Sequence, residues 1–116
     1  MDREKLEQGL AQCTGTEEWH KHQFGLTYTE GIKFLAEEAG AYWLIDAIAS
    51  YRKKEPFQLW TLTVTIKGKE HRAVLEMRED TNAPVIVKQD IEFTDFPLPE
   101  IKLYLVDGVL MLPSEY

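Results

Sequence analysis

Few residues of this chain offer chemistry: His20, His22 and His71, the single Cys13, and Asp46, the only charge in the thirteen positions from Ala39 to Tyr51. His20 and His22 flank Lys21, so in an extended segment both imidazoles leave on one side, which is half of a metal site. No third ligand stands at ligand spacing. No metal and no cofactor is therefore expected, and His20 and His22 count as candidate ligand or partner contacts. Cys13 with a histidine and Asp46 has the residue types of a nucleophile, a base and an orienter. No flanking motif accompanies them, and a lone cysteine near a helix end is ordinarily a small apolar filler.

Asp46 sits in Ala39-Gly40-Ala41-Tyr42-Trp43-Leu44-Ile45-Asp46-Ala47-Ile48-Ala49-Ser50-Tyr51, a run that reads as a helix inside a core. It is too short to span a bilayer, which takes about 20 apolar residues. Moving a carboxylate out of water without a partner costs several kcal/mol. Two readings follow. Asp46 either accepts bonds from a tyrosine hydroxyl, an indole N–H or a lysine on a neighbouring strand, or it faces a ligand cleft lined by Tyr42, Trp43 and Trp60. The seven glycines never take a phosphate-cradling spacing, and Ser50 and Ser114, the only serines, lie in no nucleophile elbow. P-loop and serine-hydrolase chemistry are excluded, and a non-enzymatic role is favoured.

The elements that must position these residues follow from hydrophobic period. Asp2 to Gln12 predicts a weak amphipathic helix loosened by Gly9. Thr16 to Thr27 has no clean period and predicts an irregular or short extended segment pinned by its aromatics; its Trp19 is the first choice for a recognition residue. Thr29 is a candidate N-cap, followed by Ile32, Leu35, Ala36 and Ala39 at helical spacing. Gly40 predicts a kink or a junction of two helices, and Pro56 ends the helical part.

After Pro56 the period falls to two. Trp60, Leu62, Val64 and Ile66 alternate with threonines, followed by a second strand with Ala73, Leu75 and Met77 inward and a third with Val85, Val87, Ile91 and Phe93 inward. Asp107-Gly108 predicts a two-residue hairpin pairing Val106 with Val109, Leu105 with Leu110 and Tyr104 with Met111. That hairpin is apolar on both faces. Tyr104, Val106, Val109 and Met111 on the outer one require either a covering segment, with the N-terminal helix as one candidate, or another protein. The whole reads as a single α+β domain, 1–116, with N-terminal helices packed on one face of a C-terminal antiparallel sheet of four to five strands.

Thirteen Lys and Arg against twenty Asp and Glu give a formal charge of −7. That sign repels phosphate backbones and disfavours direct nucleic-acid binding, although basic residues collect at Arg52, Lys53 and Lys54 and at Lys67, Lys69 and Arg72. One cysteine and an opening without an apolar signal region point to a cytoplasmic protein with no membrane association.

Gly15-Thr16-Glu17, the block Tyr28-Thr29-Glu30-Gly31-Ile32-Lys33-Phe34-Leu35-Ala36-Glu37-Glu38-Ala39-Gly40-Ala41-Tyr42-Trp43-Leu44-Ile45-Asp46 and the ending Leu112-Pro113-Ser114-Glu115-Tyr116 resemble an uncharacterised bacterial family known only as a domain of unknown function. The resemblance spans nearly the whole chain and carries no activity, substrate or catalytic residue. A scatter through bacteria and mobile elements implies an accessory or defence-related role. The expected function is a small acidic interaction or inhibitor module that docks through the final hairpin or pairs with a second copy, its carboxylates imitating phosphates. The alternative is a ligand-binding domain or modest enzyme with a pocket around Asp46 and the histidines.

Overall fold

A computed structural model describes residues 3–12, 18–23, 25–51, 55–92 and 94–116. Helix α1 (Arg3–Ala11) is followed by strands β1 (Trp19–Lys21) and β2 (Thr27–Thr29), then helices α2 (Glu30–Ala39) and α3 (Tyr42–Tyr51). Strands β3 (Phe57–Lys67), β4 (Glu70–Arg78), β5 (Val85–Ile91), β6 (Glu100–Val106) and β7 (Val109–Met111) complete the sheet, and a 3-10 turn occupies Pro113–Glu115.

The α+β class stands, but the sheet has seven strands where four to five were expected, in the order β1-β2-β7-β6-β3-β4-β5. Of the additional two, β1 lies in the segment read as irregular or short extended, and β2 begins at its last residue, Thr27. Three residues each are too few to display a period of two, so β1 and β2 leave no alternation to detect. The sheet is also not wholly antiparallel, because β2 runs parallel to β7 through Thr27–Val109 and Tyr28–Leu110. Strands β4 and β5 extend one side of β3, and the chain then crosses to its other side to form β6. Phe96 and Leu98 of that crossover are buried in the core. The Val64 amide donates to the Pro99 carbonyl at 2.8 Å and the Thr94 amide to that of His71 at 3.0 Å, which ties the crossover to the sheet.

Local signals fix the helices. The Thr29 hydroxyl accepts the Ile32 amide at 3.3 Å, the expected N-cap. Gly40 takes the left-handed conformation at φ 62° and ψ 38°, ending α2 and letting α3 start two residues later. Gly9 is not a weak point of α1. A side-chain carbon there would stand 2.2 Å from the Phe34 ring, so the glycine is what lets α1 lie against α2.

One sheet face carries the core. Trp60, Leu62, Leu75, Met77, Leu103 and Leu110 pack against Leu35, Leu44 and Ile48 of the helices. Each large apolar side chain so buried contributes about 1.5–3 kcal/mol relative to exposure. Trp43 and Ala47 are only half-buried, and Val85, expected inward, is exposed at the sheet edge. Phe93 and Cys13 lie outside the described residues.

Candidate functional site

Helix α3 does not bury Asp46. Leu44, Ile45, Ile48 and Ala49 take the core side, while Tyr42, Asp46 and Ser50, four residues apart, form the wet stripe. Asp46 nonetheless has a partner: not a tyrosine, an indole or a lysine, but one of the histidines that the alternative reading set around a pocket with it. Its Oδ1 lies 2.6 Å from His22 Nε2, the imidazole 9% exposed and the carboxylate 59%. The turn joining β1 to β2 makes this pairing: the His22 amide donates to the Leu26 carbonyl at 2.8 Å and the Gly25 amide to the His22 carbonyl at 3.0 Å. The contact thus fastens that turn to α3.

Beside it opens a cleft of about 890 Å³, walled by His22, Leu26, Ile48, Ala49 and Leu105, with Gln58 on its floor. Gln58 interrupts an otherwise apolar inward row on β3 and is fully buried. Its Oε1 accepts the Trp60 indole N–H at 2.9 Å, which orients the amide. Of the residues proposed to line a cleft with Asp46, Trp60 lies in the core and Tyr42 is exposed.

His20 does not join His22. Its ring stacks on Tyr28 at 5.4 Å, with Nε2 buried and without a hydrogen-bond partner among the described residues. His71 lines a separate hollow of about 510 Å³ with Arg3, Lys69 and Phe96. Among the described residues no three His, Cys, Asp or Glu side chains gather as metal ligands.

The second candidate site is the face of the sheet opposite the helices. The β6–β7 hairpin turns through Asp107 (φ 49°) and Gly108 (φ 83°), and all three expected cross-strand pairs form. Register then places Phe57, Leu59, Tyr104, Val106, Val109 and Met111 on one outward face. Trp19, on the edge strand β1, points to the same side and is 58% exposed.

Helix α1 does not cover this face; it packs on α2. The Tyr116 ring, held by the turn Pro113–Glu115, meets Phe57 edge-on at 5.8 Å and Tyr104 at 5.5 Å. Glu115 anchors that turn: its carboxylate accepts the Thr29 hydroxyl at 2.7 Å, the Leu112 amide at 3.0 Å and the Gly31 amide at 3.3 Å. Tyr116 itself stays 73% exposed, so the cover is partial. Sequence reasoning found the hairpin residues and missed Phe57, Leu59 and Tyr116; for the first two, the signal lay in the odd positions of β3.

No helix among the described residues is long and apolar enough to cross a membrane. No curated protein and no solved structure matches the chain. A family model does match, over residues 4–116, and its description is a family of unknown function (DUF6876). A match of that extent leaves almost no residue outside it: the chain belongs to this family.

Proposed function

We propose that the protein is a non-enzymatic protein-binding module whose docking surface is the helix-free face of the sheet. The observation that carries this reading is the outward row Phe57, Tyr104, Val106, Val109 and Met111, half-buried apolar side chains around the buried Leu59, at positions that an open antiparallel sheet ordinarily gives to polar residues. Aromatic and methionine side chains ringed by charge are also the composition of interface centres. Phosphate mimicry fits this surface poorly, since it would need a surplus of carboxylates among the docking residues. The test is capture from cell extract at low salt by the wild type, by Tyr104→Lys and by a helix-side control, Glu38→Gln. A protein retained by wild type and control and lost with Tyr104→Lys supports the reading. Equal recovery with all three overturns it.

A second reading rests on a separate observation, the His22–Asp46 contact at 2.6 Å beside an 890 Å³ cleft. Clefts of about 300–1,000 Å³ with apolar walls and a few oriented polar groups are the usual form of small-molecule sites. A thermal-shift screen against metabolites tests it. A ligand that raises the midpoint in the wild type and not in Leu105→Trp, which enlarges a half-buried side chain on the cleft wall, supports this reading. No shift with any ligand counts against it.

A further inference from the structure

We infer that the occupant of the helix-free face is a second copy of this chain, stacked sheet against sheet about a two-fold axis; the inference rests on the docking face proposed above and names its partner. Two copies at −7 repel one another, and they approach most readily where the surface lacks that acid surplus. The outward side chains described on β4, β5 and β6 include four acids, Glu70, Glu76, Asp90 and Glu100, and four bases, Arg72, Arg78, Lys88 and Lys102. Four minus four is neutral on these strands, and Lys21 of β1, on the same side by register, adds one base, so the acid surplus lies elsewhere.

The charges are also paired in a way that suits self-recognition. Arg72 bonds Glu70 at 2.9 Å, Arg78 meets Glu76 at 3.8 Å and Lys102 meets Glu100 at 3.9 Å, each two residues along one strand. Rows that present both signs do not force like charges together when the surface meets its own copy, as an isologous contact requires. Apolar residues at the Phe57 end supply the attraction, and the paired rows supply a rim.

The sheet edges argue against the other way two such copies could join. Strand β1 is three residues long, and β5 carries a register shift opposite Met77 and Arg78 with Lys88 exposed. Short, bulged and lysine-bearing edges oppose strand addition, so association falls to the face. Two such faces would pack with inner surfaces about 10 Å apart and strands within about 30° of parallel.

Sedimentation velocity from about 0.1 µM to about 100 µM tests this, a range that brackets the micromolar affinity expected of a small interface. The wild type is expected to pass from one chain mass to two, Glu38→Gln to do the same, and Val109→Arg to dimerise about tenfold or more weakly with an unchanged far-UV spectrum. Methyl NMR of the wild type removes dependence on any variant: Val106, Val109 and Met111 signals shift with concentration while Ile32 and Ile48 signals stay. A single chain mass at every concentration, or concentration shifts confined to the helices, overturns the inference. A monomer that still loses a captured protein on Tyr104→Lys overturns self-association and leaves the docking face standing. A wild-type dimer that captures no other protein supports the inference and restricts the docking reading to self-association.

Discussion

Glu115 accepts the hydroxyl of Thr29 at 2.7 Å across 86 positions of chain, and the Thr29 oxygen in turn accepts the Ile32 amide at the start of α2. One hydroxyl therefore serves two functions, capping a helix and tethering the last turn. The two most specific blocks of the sequence, Tyr28 to Asp46 and Leu112 to Tyr116, meet at this point. The junction is a structural anchor whose product is the position of Tyr116 over the outward face.

Glu115→Ala leaves the Thr29 hydroxyl and the Gly31 and Leu112 amides without this acceptor, and a loss of about 1.5–3 kcal/mol is expected. Urea unfolding, with a lowered midpoint and an unchanged slope, checks it.

Gly31→Ala acts on the same anchor from the other side. A side-chain carbon there would stand 2.4 Å from Glu115 Oε1 and 2.8 Å from Leu112 Cδ1, so the carboxylate must leave. The two substitutions are expected to be non-additive, with a coupling of about 0.5–3 kcal/mol in a double-mutant cycle.

Gly40→Ala places a side chain at φ 62° with nothing to clash against, so any loss reports backbone conformation alone. A decrease of about 1 kcal/mol is expected, and a smaller one for Gly40→Asn, by thermal unfolding.

Asp46→Asn is expected to change stability by less than about 1 kcal/mol, because the carboxylate it alters is largely in water. Its effect is local. Amide hydrogen exchange in the turn 22–26 should accelerate while β3 to β6 stay protected.

Tyr42 has its phenol raised above the ordinary 10.0 by desolvation and, after it, by the neighbouring Glu37 carboxylate, to which its hydroxyl donates at 3.3 Å. The folded state therefore holds that proton when the unfolded state has begun to lose it. Stability falls as pH rises above about 10, and Tyr42→Phe should flatten this limb in alkaline unfolding curves.

The parts of the fold that were legible are those in which local chemistry and tertiary need agree. Thr29, Gly40 and Asp107-Gly108 each have one favoured conformation, and each adopts it. The threonine-striped strand set its own register with both neighbours. Strands β1 and β2 were not legible as such because β2 is held by β7 some 80 positions away and β1 in turn is held by β2. Asp46 misled for a different reason. Its neighbours are so apolar that composition outweighed spacing, although Tyr42, Asp46 and Ser50 mark a solvent stripe at four-residue intervals. His22 as its partner had no local signal, since the pairing depends on where a tight turn meets a helix.

The parallel junction between β2 and β7 has a consequence for synthesis. Closing a loop that long is entropically costly and slow compared with forming neighbouring hairpins. The ribosome must also have delivered residues 109–115 before either β2 or the Thr29 cap gains its distant partners. Strand β2, the anchored Thr29 cap and the packing of Leu110 and Leu112 on the core therefore wait until residues 109–115 emerge, which makes this interval the one in which a chaperone would matter most.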